Sequence, residues 1–428
     1  MNANWEIKKL GDIITLQRGH DLPSQDRTHG QIPIMGSSGI TGYHNQFKAK
    51  GPGVIIGRSG NSMGQVSYVS ENYWPLNTCL YVTDFKGNCP EFIYYFLKQI
   101  NFEQFNSGSA QKSLNRNAVY PFEVKFPTSY KIQSEIASTL FALENKINLN
   151  QDINQTLEQM AQALFKSWFV DFEPVKAKIA VLEAGGSQED ATLAAMTAIS
   201  GKDTDSLAVF ERKHPVKYAE LRATAELFPS AMQENESGGI PEGWALESLG
   251  TILEPKKGKN ITKKTIEEGG IPVVAGGLVP AYYHSKYNVT APVITISASG
   301  ANAGFVNLYH CNIWASDCSY INKIQTQFVY CFYTLLKIRQ REITHMQQGA
   351  AQPHVYPKDI MRLNIVTPIT ALWQKLEEIL TSIYEKVGVN TTQNMYLEQL
   401  RDTLLPKLLS GEITLPGAEE LAKEADYV

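Results

Sequence analysis

The stretch that decides the architecture is residues 136–168, IASTLFALENKINLNQDINQTLEQMAQALFKSW. Gly and Pro are absent from it, and Ile136, Leu140, Leu143, Ile147, Asn150, Asn154, Leu157, Ala161, Leu164 and Trp168 fall on alternating four- and three-residue steps. That spacing is the seam of a heptad helix. The same steps return at Leu376, Leu380, Ile383, Val387, Asn390, Asn394, Leu397, Arg401, Leu404 and Leu408. A helix of about 35 to 40 residues is ~50 to 60 Å long at ~1.5 Å per residue, long enough to serve as a spacer.

Both seams carry Asn at matched places, where an apolar pair would stabilise more, and polar seam residues fix register at some cost in stability. Three arrangements are open. Antiparallel helices would pair Asn150 with Asn394 and Asn154 with Asn390. Parallel helices would pair Asn150 with Asn390, and the third arrangement leaves these residues at a solvated break in each helix.

Outward from the seams, the chain is written twice. Trp5, Leu10 and Gly11 return as Trp244, Leu249 and Gly250. Ile32-Pro33 returns as Ile271-Pro272, Tyr43-His44 as Tyr283-His284, Ser59-Gly60 as Ser299-Gly300, and Trp74 as Trp314. The offset stays between 239 and 241, which describes two homologous domains and not a short-period solenoid. Residues 1–128 and 244–368 read as short β-branched and aromatic runs broken by Gly, Pro and Asn, with a helix near Pro90 to Phe102 in the first copy. The expected fold is α+β, with a long helix after each globular unit. Residues 169–243 have no counterpart after the second helix, and 176–243 read as an acidic, Ala-rich helical connector with a docking face.

The net charge of −4 conceals a division. Residues 1–128 hold 12 Lys and Arg against 9 Asp and Glu, and residues 244–368 hold 12 against 7. Residues 129–243 hold 10 against 17, and residues 369–428 hold 5 against 10. Basic globular units and acidic helical segments suit a polyanion for the former and protein for the latter. Composition, 43% apolar and 19% charged, is that of a globular chain. With no signal-peptide pattern and no apolar run near ~18 residues, a cytoplasmic protein without a membrane segment is expected. Cys79, Cys89, Cys311, Cys318 and Cys331 show no metal or disulfide spacing and are expected to be buried thiols.

Catalytic signatures are missing. Gly258-Lys259 lacks the rest of a phosphate loop, and the glycines of GPGVIIG at 51, 53 and 57 miss the GxGxxG spacing and read as a turn. The eight His have no HExxH or HxH pattern, and neither a methyltransferase nor a nuclease cluster is found. Asp171 and Glu173 beside Trp168 and Phe169 read as a helix cap or packing edge. A stand-alone DNA-modifying enzyme with an unrecognised site, or a coiled-coil scaffold binding protein alone, are the rival readings.

The repeats do offer loops suited to nucleic acid. In the first, Arg58, Ser59 and Asn61 lie among glycines, and Gln111, Lys112, Ser113, Asn115 and Arg116 share one polar stretch. In the second, Ser299 and Asn302 match the first loop, Gln352 and His354 the second, and Lys256, Lys257 and Lys259 add a basic stretch. Arg can bridge guanine O6 and N7, Asn and Gln can bridge adenine N6 and N7, and Lys suits phosphate. Shared residues such as Gly60 and Gly300 suit loop geometry, whereas Arg58 against Ala298 and Lys112 against Pro353 suit distinct readout.

In order and spacing these features resemble the specificity (S) subunits of type I restriction-modification systems. The motifs are Trp-x-x-x-x-Leu-Gly at Trp5 and Trp244, the GxxQ loops at Gly108 and Gly349, LFKSWFVDFEPV at 164–175, IPEGW at 240–244 and LLPKLLSGEI at 404–413. The resemblance implies two pseudo-repeated α/β target recognition domains, 1–128 and 244–368, separated by a pair of long antiparallel coiled-coil helices, 129–175 and 369–412, with a tail at 413–428. It implies a non-catalytic chain that reads a split, asymmetric target in double-stranded DNA and docks two modification subunits, with restriction subunits joining through the complex. S-adenosylmethionine, ATP and Mg²⁺ would then be cofactors of those partners and none of this chain.

Overall fold

The computed structural model describes residues 5–108, 111–235, 238–347 and 353–413. The chain forms two compact units, Met1–Asn150 with Thr392–Val428, and Gln151–Thr391.

In the first unit a four-stranded antiparallel sheet runs in the order Thr15–Arg18, Cys79–Asp84, Gly53–Gly57, Val66–Val69. A three-stranded sheet sets Ile32–Gly36 between Gly39–His44, antiparallel, and Trp74–Pro75, parallel. Trp5–Lys9 pairs with Glu123–Pro127. Gly53–Gly57 is a buried central strand, as its β-branched Val-Ile-Ile run suits, and not the turn read from the glycine spacing of GPGVIIG. The helix expected near Pro90 to Phe102 covers Pro90–Lys98, followed by a 3₁₀ turn at Phe102–Phe105.

The second unit repeats this plan. Its sheet runs Lys256–Lys257, Cys318–Asn322, Val293–Ser297, Val306–Tyr309, and its smaller sheet sets Ile271–Val274 between Tyr282–His284 and Trp314–Ala315. Ala245–Ser248 pairs with Asn364–Thr367. The buried His after each repeated Tyr meets the repeated Trp edge-on, His44 with Trp74 at 5.2 Å and His284 with Trp314 at 5.1 Å.

The long helices are Tyr130–Phe169 and Thr370–Ser410. In the first unit Ile136 and Leu140 share a core with Leu404, Leu405 and Leu408 and with Phe92, Ile93 and Phe96 of the globular domain. In the second unit Ala161, Phe165 and Trp168 share a core with Leu376, Leu380, Tyr384 and the domain residues Phe332 and Leu336. Within each unit the two helical segments therefore run antiparallel. Each segment also caps its domain's helix. Gln133 Oε1 accepts from the Cys89 N–H at 2.9 Å, and the Glu377 carboxylate accepts from Tyr330 and Cys331 N–H at 3.0 and 2.8 Å. Such bonds satisfy the otherwise unpaired donors of a helix start.

The connector, part of the second unit, holds helices Glu173–Glu183, Gln188–Ser200, Thr204–Lys213 and Pro215–Glu226, then a hairpin of Met232–Asn235 and Gly238–Pro241. Ser187 and Asp190 form a capping box, and the Asp203 side chain accepts from the Ser206 N–H. Trp168 and Phe169 are buried, with Trp168 edge-on to Phe228 at 5.2 Å and Phe169 edge-on to Trp244 at 5.7 Å. Glu173 accepts from Ser167 Oγ at 2.6 Å, and Asp171 pairs with Lys166 at 3.5 Å. No helix among the described residues is long and apolar enough to cross a membrane.

Candidate nucleic-acid interface

Gly57 closes its strand where the Ser62 carbonyl lies against the position a Cβ would occupy. The chain then turns through Arg58, Ser59 and a 3₁₀ turn at Gly60–Ser62. Gly60 at φ +75° and Gly64 at φ +83° adopt the left-handed conformation that glycine tolerates. Three backbone bonds fix this loop to its neighbours on two sides. Arg58 N–H donates to the Thr78 carbonyl at 2.9 Å, Leu114 N–H to the Arg58 carbonyl at 2.8 Å, and Gly60 N–H to the Lys112 carbonyl at 3.0 Å. Stretches 58–61 and 111–116, far apart in sequence, thus become one surface with Ser59 bridged to Ser113.

Arg58, Ser113, Asn115 and Arg116 line a polar cleft of about 740 Å³. Arg58 Nη1 donates to the Asn77 carbonyl at 3.4 Å, and Arg116 Nη1 to the Leu16 carbonyl at 3.0 Å. Asn115 is the N-cap of a short helix, its Oδ1 accepting from Asn117 N–H at 3.0 Å. Lys112 pairs with Glu103 at 2.6 Å with both side chains about half exposed, so its charge is partly committed. Asn61 and Gln111 are exposed beside the cross-bonded loops.

The second unit reproduces the scaffold with other side chains. Ala298 N–H donates to the Asp317 carbonyl at 3.2 Å, Val355 N–H to the Ala298 carbonyl at 3.0 Å, and Gly300 N–H to the Pro353 carbonyl at 3.1 Å. Ser299 is bridged to His354, and its hydroxyl donates to the Asp317 carboxylate. His354 stacks on Tyr356 at 5.8 Å with the rings 11° apart. Asn302 closes the turn, its carbonyl accepting from Phe305 N–H at 3.0 Å. Gln352 lies outside the described residues.

Sequence reasoning missed the third wall of the first cleft, formed by Gln17, Arg18, His20 and Asp21. The matched backbone explains it. Gly19 N–H donates to the Cys79 carbonyl and His20 N–H to Pro75, as Gly258 N–H donates to Cys318 and Lys259 N–H to Ala315. Gln17, Arg18 and His20 therefore occupy the places of Lys256, Lys257 and Lys259. The lysine run in the second copy was the signal that could have found this wall. Lys256 pairs with Glu254 at 2.7 Å, and Lys257 and Lys259 are exposed.

In the first unit Asn150 Nδ2 donates to Asn394 Oδ1 at 2.8 Å, and in the second Asn390 Nδ2 donates to Asn154 Oδ1 at 2.8 Å. These are the pairs of the antiparallel arrangement. Asn150, Asn390 and Asn394 are buried, so the seam is not broken by solvent there.

Burial pushes the Cys79 and Cys318 thiols up to about 12, which leaves them as unreactive packing groups. Cys89 and Cys331 are likewise buried, whereas Cys311 is exposed, against the expectation that all five thiols are interior. It lies with His310 in the bend that follows strand Val306–Tyr309. Among the described residues no cluster of three or more His, Cys, Asp or Glu is placed to hold a metal ion.

The family described as Type I restriction modification DNA specificity domain matches residues 2–159 and again 241–399. The HindI specificity subunit of Haemophilus influenzae is 34% identical over 314 residues, covering 66% of this chain and 67% of that one. The MjaIX specificity subunit of Methanocaldococcus jannaschii is 23% identical over 459 aligned positions, covering 96% and 94%. The fold is similar to the crystal structure of the type I restriction-modification S subunit of M. genitalium, with a TM-score of 0.59 and 18% identity over 95% of this chain and 96% of that one. Two family matches on two copies of one cross-bonded loop scaffold establish that the chain belongs to the specificity subunits of type I restriction-modification systems.

Proposed function

We propose that the chain reads a bipartite, asymmetric target in double-stranded DNA, each repeated domain contacting one half, with the paired helices setting a fixed gap. One observation carries this reading: the same cross-bonded loops occur twice, but present Arg58, Lys112 and Arg116 in one copy and Ala298, Pro353 and Pro357 in the other. One backbone with two side-chain sets suits two unlike half-sites.

Lys256, Lys257 and Lys259 supply phosphate contacts, and Ser59, Asn61, Gln111, Ser113, Asn115, Ser299, Asn302, Gln352 and His354 are the remaining candidates for DNA contact. Asn150, Asn154, Asn390 and Asn394 set the helix register. The acidic helical segments dock two modification subunits, and restriction subunits join through the complex. Chemistry belongs to those partners, with S-adenosylmethionine, ATP and Mg²⁺ as their cofactors.

The test is selection from a random duplex pool by this chain co-expressed with its modification subunit. Two unlike half-sites at one fixed gap are expected; retention without a motif, or none at low salt, overturns the reading.

A further inference from the structure

Three arginines line the first cleft, Arg18, Arg58 and Arg116, with Asp21 the one carboxylate among the lining residues. Asp21 is engaged, since Asn77 Nδ2 donates to its Oδ1. The Asn77 carbonyl in turn accepts from Arg58 Nη1 and from Arg18 Nε, each at 3.4 Å. One carbonyl, itself held through Asp21, therefore sets the direction of two guanidinium groups.

Arg58 is committed through one Nη1 hydrogen and keeps its Nε and Nη2 donors. Arg18 is committed through Nε and keeps both Nη groups. A planar pair of parallel N–H donors matches the O6 and N7 acceptors of guanine on the major-groove edge, a match that the point charge of lysine does not reproduce. The Arg58 backbone is tied on both sides, to Thr78 and to Leu114, so the fork starts from a fixed base. Flexible, exposed lysines are enough for phosphate; a fixed, half-buried fork is suited to a base edge.

The second copy lacks this device. Ala298 stands at the place of Arg58, and Lys257 at the place of Arg18. We infer that the half-site read by the first domain contains an obligatory G·C pair recognised by the Arg58 fork, with Arg18 directed beside it by the same carbonyl, and that no matching arginine contact exists in the second domain. This rests on the split-target reading above and names the base that one of its domains requires.

The experiment compares random-duplex selections by wild type, Arg58→Ala and Arg58→Lys, each co-expressed with the modification subunit. Wild type is expected to enrich one half-site with an invariant G·C pair. Arg58→Ala should lower the preference at that one position by roughly tenfold to a hundredfold. Arg58→Lys should lose the same preference although the charge is kept. The other half-site and the gap must stay unchanged in both variants, which also shows that the complex has folded. A wild-type motif whose every position survives Arg58→Ala overturns the guanine assignment and leaves the split-target reading standing. No enriched motif with wild type overturns both.

Discussion

Asn150 and Asn394 meet amide to amide in the buried seam of the first unit, Asn150 Nδ2 donating to Asn394 Oδ1 at 2.8 Å and Asn394 Nδ2 donating to the Ile147 carbonyl at 3.1 Å. Asn150 Nδ2 also donates to Gln393 Oε1 at 2.9 Å, so removing Asn394 takes one of two bonds from a buried amide. Asn394→Leu alone should cost about 1 to 3 kcal/mol. Asn150→Leu with Asn394→Leu should recover most of that loss and relax the register instead. Denaturant melts of the two singles and the double, with disulfide trapping across the seam as the register readout, check this. Equal, additive losses with unchanged register would count against the pairing.

Gly388 lies on the second long helix where a Cβ would come within 2.6 Å of His310 Cγ. Ala ordinarily gains about 1 kcal/mol over Gly inside a helix. Here overpacking against the ring should cost ~1 to 3 kcal/mol and reverse the sign. Gly388→Ala is expected to lower the thermal midpoint, and a rise would show that the ring moves aside freely.

His310 itself stacks on Tyr330 at 6.3 Å, and burial lowers its pKa to about 4. Above about pH 6.5 the ring is neutral folded and unfolded. As pH falls from there to about 4, the unfolded chain binds a proton that the folded chain refuses, so stability falls, by about 3 kcal/mol in all, and levels off below. His310→Phe keeps the stack and should flatten that part of the stability profile relative to wild type. Parallel wild-type and variant profiles between pH 7 and 4 would remove His310 as the cause.

The two glycines of the first loop should separate. Gly57→Ala drives a Cβ into the Ser62 carbonyl, displaces the loop and should lower both stability and DNA affinity. Gly60→Ala meets only its own φ of +75°, a strain of about 1 kcal/mol. Melts and DNA titrations on the two variants check the order, and equal effects would contradict it.

Lys257, exposed on the edge strand of the second domain, should act as a phosphate contact. Lys257→Ala is expected to weaken binding evenly across sequences and to reduce the slope of log K against log salt by about 1. A change in the selected bases with an unchanged slope would assign it to base readout.

Much of this was legible in the chain. The heptad steps located both long helices, and the matched Asn residues named their antiparallel partners as one alternative. The stretches around Arg58 and Arg116 stand out as candidates in the sequence because Gly and polar residues cluster there, and the structure brings them side by side. The wall at Gln17–Asp21 does not, because its own residues form no basic run; the signal lay in the matched lysines of the second copy, and the backbone bonds of Gly19 and His20 bring the wall to the cleft. Nor does sequence show that Lys112 is tied to Glu103 or Ser299 to Asp317. Such pairings arise from tertiary placement.

The loops are cross-bonded through backbone in both copies, and at position 353 it is the carbonyl that accepts from Gly300 N–H, so a proline can stand where the first copy has lysine. A framework of this kind holds with different side chains at positions 58 and 298, and at 112 and 353. If those positions read DNA, a substitution there would change the target while the cross-bonded backbone stayed in place.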